Sequence, residues 1–420
     1  MTPIAIALII IALMIALFIW EPFPIVVTAI GASIVCAYAG LIKVNTLFAG
    51  YNSNTIVLLA GMMVVGASLF HAGVTDAIGN AMIKITGKSE RNIVLVTLVV
   101  SCILSSVCSN IGVMTAMAPL VTAMCIAAGF GPSRSLLALL FGAQFGGFGT
   151  LVGVGSNAAA NGILINAGLQ GFGFFPITPF GIGIMIAGTL YFTFIGMKYI
   201  PDTGYIPEFA STDKHEFDKR KAYIACGTLF CVLVVIALGS YIKGFPPMHV
   251  AAVAGALVIV ATKCMTLKDA IRSIDWNCLL LVGSLTAIAN GFKNSGAGNA
   301  TANAILEILG SNPSPLLVTT VIFFASALLT QVMSNIPTIT IFMPIGLTIA
   351  EKLGINPYAI AMVITLGGAA SYATPFAAPQ NMMTVGWTNY KFMDFMKVGF
   401  PMLFITYFVI AICTPIFLQY

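Results

Sequence analysis

Apolar residues run along this chain in long blocks, near positions 3–20, 24–42, 55–73, 93–128, 135–168, 181–200, 222–241, 247–265, 277–294, 315–350, 357–388 and 398–418. A helix of about 17–20 apolar residues crosses the roughly 30 Å of hydrocarbon in a bilayer. The pattern predicts an all-α polytopic membrane protein. The most polar stretch, Pro201–Lys221, holds Asp202, Glu208, Asp213, Lys214, His215, Glu216, Asp218, Lys219, Arg220 and Lys221, and reads as a loop joining two halves.

Two blocks, 93–128 and 315–350, are too long for one helix. Each is interrupted centrally by Ser-Asn, at Ser109-Asn110 and Ser334-Asn335. Ser and Asn cap helices well and continue them poorly. A re-entrant hairpin with the Ser-Asn at its tip fits both blocks. The segments match at an offset of 225, from Asn110 to Asn335. A second Asn follows each tip in a Gly- or Pro-rich break: Asn157 after 47 residues in Gly153–Asn157, and Asn381 after 46 in Pro375–Asn381. Paired interruptions at corresponding places are the best sequence pointer to a transporter binding site.

With the hairpins counted as no crossing, each half has five crossings, so the halves are two inverted repeats of five transmembrane helices. Each repeat carries a re-entrant hairpin and a broken helix. The stretches Asp76–Lys88 and Ala297–Gly310 have helical spacing of apolar residues and are expected to be interfacial amphipathic helices. The division that follows is 1–75 (scaffold), 76–91 (amphipathic helix), 92–200 (first transport half) and 201–221 (cytoplasmic linker). The second half then reads 222–296 (scaffold), 297–312 (amphipathic helix) and 313–420 (second transport half).

Composition agrees with a bilayer and adds orientation. Only 18 Lys/Arg and 13 Asp/Glu occur in 420 residues, 7% of the chain against roughly 25% in soluble domains. Mean hydropathy is +1.03. Such a chain excludes a cytosolic enzyme, a nucleic-acid binder and a disordered protein. The +5 net charge marks loops rather than an acid-binding surface. With both termini extracytoplasmic, Lys43, Lys243, Lys293 and Lys352 fall outside and the other fourteen Lys/Arg fall inside, the positive-inside bias of an inner (cell) membrane protein. The first apolar run lacks a basic leader region and reads as a retained helix. Nine cysteines without Cys-x-x-Cys spacing read as small buried hydrophobes.

The tips point to ion chemistry. A broken helix exposes backbone N–H groups with a positive dipole end, suited to an anion, and frees carbonyl and hydroxyl oxygens, suited to Na⁺. Ser105 and Thr330 precede Ser109 and Ser334 by one turn and are expected to share their face. No ionisable residue lies in these motifs, which disfavours a proton relay. No nucleophile–base pair or metal cluster appears within the spans, so an enzyme is not expected.

The paired Ser-Asn tips and the two later Asn breaks resemble the divalent anion/sodium symporter (INDY-type) family of the ion transporter superfamily, over nearly the whole chain. By that resemblance one Na⁺ site would use Ser105, Ser109, Asn110 and Gly153, and a second Thr330, the Met333 carbonyl, Asn335 and Ala377. Substrate carboxylates would meet Ser109, Asn110, Ser334, Asn335, Ala378 and Pro379. The family implies Na⁺-coupled symport of a di- or tricarboxylate or sulfate, by an elevator motion within a homodimer. Ile111, Ile336, Val154 and Ala378 stand where the family carries threonine, removing four hydroxyls. The alternatives are a sodium-independent anion exchanger, a cation/proton antiporter and a metalloid efflux permease.

Overall fold

The computed structural model describes residues 2–209, 217–239, 242, 244–310 and 313–418, the side chain of Asp76 apart. Asp213, Lys214, His215 and Glu216 of the central loop, Lys243, and the last two residues of the segment 297–312 lie outside the described residues. Among those described, the ordered elements are helical and none is a strand.

The first half comprises α1 (Pro3–Trp20), α2 (Ile25–Tyr38), α3 (Asn54–His71), α4 (Val74–Thr86), α5 (Glu90–Ser105), α6 (Asn110–Ala128), α7 (Ser133–Gly146), α8 (Gly155–Asn166) and α9 (Thr178–Tyr191). A π-helical turn, Phe192–Gly196, carries α9 into the short α10 (Met197–Tyr199). The second half comprises α11 (Lys219–Gly239), α12 (Met248–Ala261), the short α13 (Leu267–Arg272), α14 (Trp276–Asn294), α15 (Ala297–Leu309) and α16 (Pro315–Leu329). It ends with α17 (Asn335–Leu353), α18 (Pro357–Gly368), α19 (Pro379–Thr388) and α20 (Phe392–Phe417). Seven helical stretches among the described residues are long and apolar enough to cross a membrane, and four shorter apolar helices accompany them.

The two halves use the same local devices. The amphipathic stretches are the 13-residue helices α4 and α15, each started by a left-handed glycine, Gly73 at φ 70° and Gly296 at φ 78°. Helices α6 and α17 each begin one residue after the tip serine, carry an internal proline (Pro119 and Pro344), and end on a left-handed glycine (Gly129 and Gly354). Both prolines and both terminal glycines repeat at the 225-residue offset of the tips.

Helices α7 and α18 are buried along nearly their whole length and form the centre of the molecule. Each packs on the two arms of its own hairpin, α7 on α5 and α6, α18 on α16 and α17. Around this centre lie two helix pairs, α3 with α12 and α2 with α14. Tyr372 links the halves, its ring 6.0 Å from Phe141 and 5.9 Å from Phe145.

The central loop differs from a free connection. Its first part is docked: Ser133 Oγ donates to Asp202 Oδ1 at 2.9 Å, Arg134 Nε to the Ile200 carbonyl at 3.0 Å, and Thr203 Oγ1 to the Thr388 carbonyl at 2.7 Å. Tyr390 donates to the Pro201 carbonyl, and its burial holds the phenol well above its ordinary pKa. Arg134 also pairs with Glu90 at 3.1 Å. The last part, Lys219–Lys221, is already the first turn of α11, because Asp218 Oδ1 accepts from the backbone N–H of Arg220 and Lys221. The cysteines are free; Cys226 and Cys231 are exposed on α11, correcting the expectation that all are buried. Helix α11 presents much of its surface outward, which explains that difference.

Candidate functional site

A cavity of about 800 Å³ lies where the two hairpin tips meet the two broken helices. Ser109, Asn110, Gly153, Ser334, Asn335, Ala377, Ala378 and Pro379 line it, so the structure gathers most of the residues singled out from sequence. Ser105 and Thr330 stand behind the lining, fully buried, and Met333 is buried beside the second tip.

The tip geometry is built twice. Helix α5 stops at Ser105, which is why that hydroxyl turns to Asn110 and not to Ser109 as the one-turn spacing suggested. Ser105 Oγ lies 2.6 Å from the Asn110 side-chain amide, and Thr330 Oγ1 donates to Asn335 Oδ1 at 2.8 Å. Ser109 caps α6 by accepting from the Gly112 N–H at 3.2 Å. Ser334 stands at the same place before α17, and its buried hydroxyl has no protein partner.

The breaks span 147–154 and 369–378, with Asn157 and Asn381 in the first turns of α8 and α19. Both are fully buried and clamp the turn before them. Asn157 Nδ2 donates to the carbonyls of Gly147 at 2.8 Å and Thr150 at 3.0 Å. Asn381 Nδ2 donates to those of Ser371 and Thr374, both at 2.8 Å. Thr150 Oγ1 in turn donates to the Ser106 carbonyl at 2.5 Å, and Thr374 Oγ1 to the Gln331 carbonyl, tying each break to its own hairpin tip. An unwound segment inside a membrane protein needs such internal partners, because lipid supplies none.

At the second break Gln144 links the two halves. Gln144 Nε2 donates to the Ser371 carbonyl at 3.0 Å and to Asn381 Oδ1 at 2.8 Å. The position 224 residues further on is Gly368, so this bridge has no twin.

Electrostatically the cavity is lean. Among the described residues no Lys, Arg or His lines it, and its two carboxylates, Glu21 and Asp275, belong to exposed residues. Around Asn110 three oxygens converge on the side-chain amide, whose nitrogen donates to Ser105 Oγ at 2.6 Å, the Ala143 carbonyl at 3.1 Å and the Gly153 carbonyl at 3.3 Å. Neutral oxygens in this number suit either an amide N–H₂ or a small hard cation, so the residues fit Na⁺.

Sequence reasoning passed over Thr150, Thr374, Gln331, Gln144 and Ser156. Thr150 and Thr374 were detectable, since they lie seven residues before Asn157 and Asn381. Gln144 was not, because it has no counterpart to flag it.

These features define a multi-pass membrane transporter. A family model described as citrate transporter (CitMHS) matches residues 15–365, and the chain belongs to that family. It is 20% identical to the uncharacterized transporter YfbS of Escherichia coli K12, over 92% of this chain and 94% of the relative. It is 28% identical to the probable sodium/sulfate cotransporter 3 of Chlamydomonas reinhardtii, over 43% of this chain and 21% of that protein. The fold is similar to that of Neisseria gonorrhoeae MtrF, with a TM-score of 0.60, 14% identity, and coverage of 99% of this chain and 95% of the other. The Alcanivorax borkumensis YdaH transporter gives a TM-score of 0.53 at 14% identity, covering 88% and 87%. The chain is thus a transporter and not an enzyme.

Proposed function

We propose that the protein is a secondary active transporter that carries a small anion, a di- or tricarboxylate or sulfate, together with Na⁺. The carrying observation is the oxygen cluster at Asn110, repeated in outline by Thr330 and Asn335 in the second half. Na⁺ at the first cluster takes ligands from Ser105, Ser109, Asn110 and Gly153, and at the second from Thr330, the Met333 carbonyl, Asn335 and Ala377.

The anion lies between the tips, against Ser109, Asn110, Ser334, Asn335, Ala378 and Pro379. The co-bound cations and the helix N-termini stand in for the basic residues the cavity lacks. Each charge moved against 100 mV involves about 2.3 kcal/mol. Two Na⁺ cancel that term for a dianion and make the import of a monoanion electrogenic.

The duplicated devices of the two halves support inverted repeats with ten crossings in a cell membrane and both ends outside. In this orientation the cavity rim at Glu21 and Asp275 faces the cytoplasm. The transport halves move against the scaffold helices of a homodimer in an elevator motion.

The reading is tested with purified protein in liposomes. Accumulation of a carboxylate or sulfate under an inward Na⁺ gradient, and not under an equal K⁺ gradient, is expected. Equal uptake in both would overturn the coupling and select exchange.

A further inference from the structure

Ser156 and Gln380 are the second residues of α8 and α19, and both line the cavity. Each immediately precedes the clamping asparagine of its half, Asn157 or Asn381. Resting on the Na⁺-coupled anion reading above, we propose that these two side chains are the specificity-determining pair of the site, each reading one acidic end of the substrate.

Both are buried polar groups held in reserve. Ser156 is fully buried, and its hydroxyl has no protein partner. Gln380 is 6% exposed, and among the described residues its side-chain amide makes no hydrogen bond. Buried polar groups are nearly always paired, because an unmade bond leaves the full desolvation cost. The backbone around them is open in the same way. Val154 and Ala378 stand at the capping positions of α8 and α19, and neither helix has a side-chain cap. No side chain therefore claims the first N–H groups of either helix. Pro379 brings no N–H, so the first donor on α19 is that of Gln380 itself.

Each residue works with the tip of the opposite half. Helix α8 packs on α17, and a Cβ at Gly155 would lie 3.5 Å from Ile336 Cδ1, two residues past Ser334. This sets Ser156 on the side of the second tip, where the Ser334 hydroxyl is also buried and unpartnered. Helix α19 packs on α6, the helix that the first tip begins. There Ser109 accepts from the Gly112 N–H, and its hydroxyl proton stays available to the cavity. One acidic end thus meets the hydroxyls of Ser156 and Ser334, and the other meets the Gln380 amide and the Ser109 hydroxyl.

The two ends differ in reach. A serine hydroxyl is one bond from Cβ and fixes its partner closely. A glutamine amide stands on a longer stem and offers two N–H donors. The serine pair therefore anchors one end, and Gln380 adjusts to the length of the substrate.

The test is a thermal-shift titration of the full-length protein in detergent, in Na⁺ or in K⁺, with succinate, glutarate, citrate and sulfate. In Na⁺, Ser156→Ala and Gln380→Ala each weaken succinate and citrate by about tenfold, equivalent to ~1.4 kcal/mol. Combined, they weaken both by about a hundredfold, because they act on opposite ends. Ser156→Ala combined with Ser334→Ala falls well short of the product of its single effects, because those hydroxyls share one end. Gln380→Asn, shorter by one methylene, moves preference from succinate toward glutarate, and Ser156→Ala does not. Full affinity for succinate and citrate in either alanine variant overturns the assignment and leaves the Na⁺-coupled reading standing. So does an unmoved succinate-to-glutarate preference in Gln380→Asn, coupling of Ser156 to Gln380 equal to its coupling to Ser334, or a shift with sulfate alone. No Na⁺-dependent shift of the unaltered protein with any of the four anions overturns that reading and the assignment with it.

Discussion

Removing Gln144 separates the two halves at the one place where they are joined by a side-chain amide next to the site. Gln144→Ala deletes two hydrogen bonds, to the Ser371 carbonyl and to Asn381 Oδ1. Asn381→Ala deletes three: its two clamp bonds and the one it accepts from Gln144. Each such bond contributes about 1 kcal/mol net, which gives ~2 kcal/mol for Gln144→Ala and ~3 kcal/mol for Asn381→Ala. The shared bond is lost once in the double variant, so the cycle should return a coupling energy of ~1 kcal/mol. Asn157 supplies the control: it makes the same clamp with two bonds and no bond to Gln144. Asn157→Ala should cost ~2 kcal/mol and combine additively with Gln144→Ala, to within ~0.5 kcal/mol. Equilibrium SDS unfolding in mixed micelles, followed by tryptophan fluorescence, measures all six forms. Equal coupling of Gln144 to Asn157 and Asn381, or an Asn157→Ala cost above that of Asn381→Ala, refutes the bridge as described.

Asn110→Ala and Asn335→Ala should each abolish Na⁺-dependent uptake in proteoliposomes while size-exclusion profiles stay unchanged; near-normal uptake in both sinks the ion-site assignment. Gly399→Ala places a Cβ 2.1 Å from the Tyr372 carbonyl oxygen, a backbone atom that cannot swing aside. The variant should lose about 1–3 kcal/mol of stability in the same SDS assay, and a neutral result would show that α20 does not press on the second break. Cys278 lines the cavity, so its alkylation by a maleimide, read by peptide mass spectrometry, should slow when Na⁺ and a transported anion are both present. An unchanged rate at Cys278, with Cys226 on α11 as internal control, contradicts ligand occupancy beside α14.

The sequence was most legible where a physical constraint leaves a local mark. Long apolar blocks give the helices, because spanning hydrocarbon demands length and composition together. The Ser-Asn tips were legible because capping residues in mid-block interrupt a helix, and doubling at one spacing outweighed the plainer reading of hydrogen bonds to neighbouring helices. What escaped notice depends on partners far away in the chain. Gln144 reads as one polar residue in an apolar helix, and its bond to Asn381 spans 237 positions. Ser156 sits inside the Gly153–Asn157 break, and only burial shows that its hydroxyl is unclaimed. The docking of residues 200–209 was hidden because loop composition says nothing about which side chains of α7 wait beneath it.

The duplicated halves raise a geometric question that their likeness cannot answer: the cavity lies on one side only. Helix α8 packs against α14, α3 and α17, and is buried from Ser156 to Leu164. Its start approaches α14 so closely that a Cβ at Gly155 would lie 2.3 Å from Cys278 Sγ. Helix α19, its counterpart, packs on α7 and α6 and leaves Met382 48% exposed on the cavity wall. Met382 of α19 is thus open on the cavity wall, whereas α8 is packed under α14 and α3. In the proposed elevator cycle the two units exchange packing, so that α19 is covered and α8 laid open. In the proposed cycle that exchange carries the anion past the scaffold, and both arrangements use the same tips. A bulky residue at Gly155 disturbs the covered state directly, because the close approach to Cys278 belongs to it. Gly155→Val should thus bias the protein away from the arrangement described, lowering Cys278 alkylation from the cytoplasmic side without altering the SDS-unfolding cost of Asn381→Ala. A variant that leaves Cys278 reactivity unchanged would show that the α8–α14 contact is not what holds this state.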